Sequence, residues 1–253
     1  MWTDEQLEQL EATEREISLE EVALMILLLT TCHEEFQKEI NNFYTKYGKD
    51  GVVTYNEARK WVSDKNRKKR YLVLFATLGT IITTHITSIE DNFNFMQAKI
   101  LKKVSDFFSV KVDEESLILR AWGNDDLNWK DRLWNNRNKW LFYIQKDIKQ
   151  SVMRGDNVND VLIDLEKRFT SIEKALKGLA LNESTAMDSM ARREIFKDLG
   201  VTKYRFYTRE DERTCEECNS LHGLTFPMSA YEVGVTASPI HNHCRCWEVP
   251  IME

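Results

Sequence analysis

The chain has 253 residues, with only three prolines and nine glycines. Average usage of about 5% Pro would put roughly thirteen prolines in a chain of this length, and the three present, Pro227, Pro239 and Pro250, all follow residue 226. Four of the five cysteines lie between Cys215 and Cys246, with Cys32 apart from them. Collagen-like, Pro-rich disordered and disulfide-scaffold classes are excluded, and an all-β chain is disfavoured because its turns would need punctuation. The net charge of −6 is uneven: residues 1–21 carry −7 and the remainder +1. A body this close to neutral is not dominated by attraction to phosphate. The acidic N-terminus does not read as a signal peptide. Without a secretion signal, clustered cysteines point to metal ahead of disulfides.

In chain order, the acidic stretch Thr3–Glu16 predicts an exposed helix or a fraying arm. Ser18, three residues before Glu21, then reads as a capping box ahead of a helix running from Val22 to Tyr47. Gly48–Gly51 predicts a turn and Asn56–Ser63 a short helix. A basic run follows, in which Arg59, Lys60, Lys65, Arg67, Lys68, Lys69 and Arg70 against Asp64 give +6 over twelve positions. Lys65, Arg67, Lys68, Lys69 and Arg70 are the candidate contacts to a partner or nucleic acid. A solvated helix start is an equal reading, since no stacking aromatics accompany them.

Tyr71–Ile89 holds no Lys, Arg, Asp or Glu. It passes the roughly 18-residue threshold for a membrane span, but its six threonines and serines and His85 favour a buried central helix, so membrane insertion of 71–89 is disfavoured. The helical pattern runs on to Phe107 and breaks at Ser109–Glu115. Trp122, Trp129, Trp134 and Trp140 read mostly as core anchors. Helical stripes follow up to Gly155, over Val158–Leu176, and over Leu179–Leu199, with Gly200 as C-cap. After Gly200 the period changes: Tyr204, Phe206 and Thr208 alternate with charged residues, as in a strand. The expected fold is mainly α, an elongated helical N-terminal body followed by an α+β C-terminal module with a short β hairpin or sheet and a Cys/His cluster. The expected division is 1–115 and 116–253, with the Cys/His-rich β module at 201–253.

The sharpest constellation is Cys215-Glu216-Glu217-Cys218 followed by His241-Asn242-His243-Cys244-Arg245-Cys246. Cys-x₂-Cys on a tight turn grips one ion, and His241 with Cys244 repeats that separation. Cys215, Cys218, His241 and Cys244 therefore form a candidate tetrahedral structural zinc site. Cys246, His243 and His222 stand in reserve. Such a clip would hold a two-stranded module with little core of its own. A disulfide pair stays open as an alternative. A thioredoxin-like role needs Cys-x-x-Cys at a helix start within a βαβ unit, whereas strand and turn surround it here. The tripeptide His241-Asn242-His243 matches a nuclease motif only by accident. No phosphate-binding glycine loop, HExxH, GxSxG or kinase set is present, so no catalytic residue, enzyme activity or small-molecule substrate is expected.

The run Phe206–Cys215, then Cys218, Leu221, Gly223 and Phe226, and finally Pro239–Cys246, resembles the signature of phage minor head proteins, the head-morphogenesis family named after protein F of phage Mu. Members show Asp-x-Arg-Thr-Cys-x-x-Cys, Leu-x-Gly and a closing Pro-x-His-Pro-x-Cys-Arg-Cys, matched here by Asp211, Arg213, Thr214, Cys215, Cys218, Leu221, Gly223, Pro239, His241, Cys244, Arg245 and Cys246. The resemblance covers about residues 120–250. Two positions depart from the pattern: Asn242 stands where the family has Pro, and a common Arg-Thr-Glu is Leu181-Asn182-Glu183. The resemblance implies a late, low-copy virion component near the portal of a tailed-phage head, made in the host cytoplasm. It further implies work in head morphogenesis, DNA packaging or DNA ejection, with portal protein as partner and scaffold, capsid or packaged DNA as further contacts. It also implies that Cys215, Cys218, His241 and Cys244 are structural. The alternative is a zinc-dependent nucleic-acid-binding or processing protein, which would need an open coordination position.

Overall fold

The computed structural model of the chain describes residues 2–63, 65–123 and 125–252, except for the side chains of residue 4 and residues 61–67. Its first helix, α1 (Asp4–Tyr47), is continuous from the acidic stretch onward. The start is a capping box three residues in: Gln6 N donates to Thr3 Oγ1 (3.2 Å) and Thr3 N to Gln6 Oε1 (2.9 Å). The expected exposed or fraying arm is thus corrected. Leu7, Leu10, Glu11, Glu14 and Glu21 are buried, one stripe at helical spacing, because the acids at these positions meet cations in the fold. Ser18 is no cap either. It sits mid-helix and donates to Glu14 O (2.8 Å).

The Gly48–Gly51 turn forms, closed by the pairing of Lys49 with Val52, and α2 (Tyr55–Ser63) follows. The next helix, α3 (Lys65–Phe108), ends where Ser109 takes φ 56° and Val110 N returns to Ser105 O (3.1 Å). Its charge-free stretch is not the fully buried helix expected. Tyr71, Leu74, Leu78, Ile82, Ile86 and Ile89 form one buried stripe, but only 28% of its most apolar window is buried. The part Lys68–Phe108 is, among the described residues, long and apolar enough to cross a membrane by length and composition alone.

A short α4 (Glu114–Ile118) leads to α5 (Trp129–Arg154), which Gly155 ends at φ 79°. The two stripes expected over 158–199 are one helix, α6 (Val158–Asp198), running through Gly178. A Schellman close follows, with Gly200 at φ 71° and Val201 N donating to Phe196 O (2.9 Å). Three strands come next: β1 (Lys203–Tyr207), β2 (Thr225–Pro227) and β3 (Trp247–Ile251). They make an antiparallel sheet of order β2-β1-β3, with Tyr204 opposite Phe226 and Pro250. The module is therefore three-stranded, not two-stranded. Between β1 and β2 lies the short helix α7 (Glu216–Leu221).

The chain is mainly helical, as expected, but its compact units are not sequential halves. One comprises residues 1–24, 91–132 and 177–253, the other residues 25–90 and 133–176. In the first, Trp129 stacks flat on Phe93 (5.1 Å, 3°) and donates Nε1–H to Ile118 O (2.7 Å). In the second, Phe169 meets Phe36 edge-on (5.4 Å) and Trp134 donates to Glu90 (2.6 Å). Trp129 and Trp140 are core residues as expected, while Trp122 is half-buried and bonds Glu183 through Nε1 (2.6 Å).

Candidate metal centre

The site is built by the segment between β1 and α7 and by the one leading into β3. Asp211 organises the first: its carboxylate accepts from Arg213 N (3.0 Å) and from the Arg245 guanidinium, with Arg245 Nη1 at 2.6 Å. Arg245 holds the Asp211 carboxyl well below the usual carboxylate range. This fork ties Asp-x-Arg-Thr-Cys to Cys-Arg-Cys, so the arginine between the last two cysteines has a fastening role. Cys215 then caps α7, its Sγ accepting from Cys218 N (3.4 Å). That N–H, foremost, lowers the Cys215 thiol. Cys-x₂-Cys thus opens a short helix, which corrects the strand-and-turn expectation. The sheet around it is antiparallel, so the βαβ setting of a thioredoxin site is absent from the described residues.

His241 Nε2 lies 3.0 Å from Cys215 Sγ and 3.0 Å from Cys218 Sγ, and Cys218 Sγ lies 3.7 Å from Cys244 Sγ. Two overlapping donor groups result, Cys215–Cys218–His241 and Cys218–Cys244–Cys246, each with all atoms within 4.8 Å. Zn–S bonds of about 2.3 Å in a tetrahedron set an S···S edge of about 3.8 Å, so the Cys218–Cys244 separation already fits. The imidazole is oriented for ligation. Its Nδ1 is 2.9 Å from Asn242 O, which places the proton there and leaves the Nε2 lone pair facing the sulfurs. All five cysteines are free thiols. Contact with Cys244 raises the Cys218 and Cys246 thiols, and their S–H groups lower Cys244 in turn, so Cys244 is the sulfur of the three that gives up its proton most readily to a cation. Phe206 packs against Cys218, Cys244 and Cys246, with Leu221, Phe226 and Ile240 around them.

The reserve residues separate. Cys246 joins the cluster from the second donor group. His222 does not: its Nδ1 takes Thr208 N (3.2 Å) and its Nε2 faces Glu210 (3.5 Å). The His243 ring lies against Gly178, where a Cβ would come within 3.2 Å of it, and its nitrogens are in neither donor group. The two departures from the family pattern touch each other. Asn182 Nδ2 donates to Asn242 Oδ1 (2.5 Å), and Asn182 Oδ1 accepts from His243 N (2.7 Å).

Behind this cluster sits a polar core that the sequence reading missed. Arg192, fully buried, donates Nε to both Asp188 oxygens (2.8 and 2.9 Å), Nη2 to Glu14 Oε2 (3.1 Å) and Nη1 to Glu248 O (3.2 Å). Glu248 Oε1 accepts from Ser238 N (2.7 Å), and its Oε2 accepts from Ser189 Oγ (2.9 Å) and Tyr231 Oη (3.0 Å). Burial pushes the Glu248 carboxyl up to about 7. The available signal was Asp188 and Arg192, opposite charges four residues apart within a helix.

Of the basic run, Lys65 and Arg67 lie outside the described side chains. Lys68 and Lys69 are exposed, and Arg70 stacks over the Tyr47 ring at 4.6 Å. In the acidic stretch, Glu11 pairs with Arg209, Glu14 with Arg192 and Glu21 with Lys99, while Glu5, Glu8, Glu16 and Glu20 are exposed.

Against known proteins, residues 143–249 match the family described as Phage Mu protein F like protein. This region contains α6, β1, β2, the start of β3 and every candidate ligand. An uncharacterized protein of Haemophilus influenzae is 24% identical over 118 residues, which cover 46% of this chain and 26% of that relative. The match thus spans about a quarter of that protein's length. No solved structure matches the chain.

Proposed function

Starting from a chain whose residues 143–249 are Mu F-like and head-related, we propose that it is a non-enzymatic minor head protein of a tailed phage. It sits in the virion head near the portal and acts in head morphogenesis, DNA packaging or DNA ejection. The match over the very residues that build the Cys/His cluster carries this reading. Portal protein is its proposed partner, with scaffold, capsid or packaged DNA as further contacts. Zinc is the proposed cofactor, held by Cys215, Cys218, His241 and Cys244, with Cys246 as the spare thiolate. Five donors for a four-coordinate ion favour a closed, structural site over one that keeps a position for water. Zinc there would cross-link the 208–218 segment to the 239–246 segment, doing in one ion what a larger apolar core would otherwise do.

The test is co-expression with the portal protein of the same phage. Co-purification, and recovery of the chain from assembled heads, are the expected results. A chain that neither binds portal nor enters heads overturns the reading. Metal-dependent cleavage of DNA or RNA by the purified protein would transfer the assignment to the nucleic-acid-processing alternative.

A further inference from the structure

One face of α3 is uncovered. Lys69, Val73, Ala76, Thr80, Thr84, Thr87 and Asp91 are all exposed and recur at steps of three and four residues, a single stripe along the helix. Between its charged ends the stripe carries small and apolar side chains: Val73 is 65% exposed, Leu72 beside it 57%, and the donors of Thr80 and Thr87, with that of neighbouring Thr83, turn inward. Thr80 Oγ1 donates to Ala76 O (3.1 Å), Thr83 to Gly79 O (2.6 Å) and Thr87 to Thr83 O (3.0 Å). Each of these hydroxyls keeps its bond inside the helix, so covering this face orphans none of these donors.

The stripe reads the same in both directions about Thr80, with steps of four, three and four residues outward on each side, and with opposite charges at its two ends. We propose that this face pairs antiparallel with the same face of a second copy of the chain, on a two-fold axis at Thr80. In that register Lys69 lies opposite Asp91 of the partner subunit, and the symmetry makes the pair twice. Val73 lies opposite Thr87 of the partner subunit, and Ala76 opposite Thr84 of the partner subunit. Small side chains at the centre let the helix axes approach closely. Neither Lys69 nor Asp91 has an ion-pair partner among the described residues. A parallel pairing would set lysine on lysine and aspartate on aspartate. An anionic membrane would attract one end of the stripe and repel the other. Only an antiparallel copy satisfies both ends.

One helix face buries less than the roughly 1,600 Å² of a standard interface, so a weak, concentration-dependent dimer is expected. The full chain is followed by sedimentation equilibrium at low salt, up to about 0.2 mM, the range in which weak interfaces populate. Lys69→Glu and Asp91→Lys should each weaken association about tenfold, and the double variant should restore it, because charge is swapped across the pair. Thr80→Arg, at an exposed position, sets two like charges on the axis and should abolish the dimer with helicity unchanged. A wild-type chain monomeric at the top of the series overturns the proposal, as does a dimer indifferent to the single substitutions. Binding to phosphatidylglycerol vesicles by a chain that stays monomeric overturns it in favour of lipid. The outcome is independent of portal binding.

Discussion

Asn182 and Asn242 each depart from the family pattern, and the fold bonds them directly. Asn182 also holds the backbone of His243 (2.7 Å), next to the cysteine and histidine cluster. Their effects should therefore be non-additive. In a double-mutant cycle with Asn182→Thr and Asn242→Pro, the coupling expected is about 1 kcal/mol, the net worth of a side-chain hydrogen bond. Urea denaturation of the four chains measures it, and strictly additive losses would contradict the pairing. Glu248 sets a pH dependence. Its carboxyl titrates near about 7 when folded against the ordinary 4.5, because of burial first. The folded state thus binds the proton more tightly. The stability this contributes is complete below pH 4.5 and is lost as pH rises to about 7, by about 3 kcal/mol. Glu248→Gln keeps a hydrogen-bonding side chain and cannot ionise. Its stability, relative to wild type, should rise across that window, and parallel pH profiles would show that Glu248 does not titrate there.

At the scale of elements, the first five turns of α1 carry the clearest reversal. A run with eight acids among twenty-one residues reads as a solvated arm, since buried carboxylates are rare unless paired. The pairs come from far along the chain: Arg192 for Glu14 and Arg209 for Glu11. No local pattern announces them. Removing residues 1–21 should consequently leave Arg192 and Arg209 without those partners and strip Leu7 and Leu10 from the core, costing several kcal/mol. Thermal unfolding by circular dichroism checks this, and an unchanged midpoint would restore the arm. Helix ends were far more legible. Gly155 and Gly200 both take positive φ at helix C-termini, as glycine's freedom of backbone predicts. The start at Thr3 was equally legible through Gln6 and was missed because Ser18 and Glu21 offered the same signal later. What hid the true extent of α6 was Gly178, a tolerated interior glycine whose missing Cβ makes room for His243.

At the scale of the molecule, the expected halves meet a different partition. The unit holding the Cys/His cluster also takes residues 1–24 and 91–132, so the cluster and helical structure belong to one compact unit. Stripping zinc, or replacing Cys215 with Ala, should therefore lower the far-UV helical signal as well as disorder residues 201–253. Reducing-condition preparations should contain about one zinc per chain before chelation, measured by elemental analysis. Loss confined to the sheet, with helicity intact, would instead support a self-standing C-terminal module. The partition escaped a linear reading because α1, α3, α5 and α6 each contribute residues to both units, and such sharing leaves no break in composition.

The sequence by itself determined that the chain is mainly helical, where its glycines end helices, that a β module closes it, and which family its cysteine and histidine spacing resembles. These follow from local periodicity and short-range backbone preference, which act over a few residues. Only the tertiary structure decided that Cys246, and neither His222 nor His243, completes the donor cluster, that the acidic N-terminal helix is core, and that Arg192 sits on three buried carboxyl-bearing residues. Those outcomes depend on contacts between residues up to 198 positions apart, and one chain's local chemistry does not specify which distant charge will arrive to neutralise it.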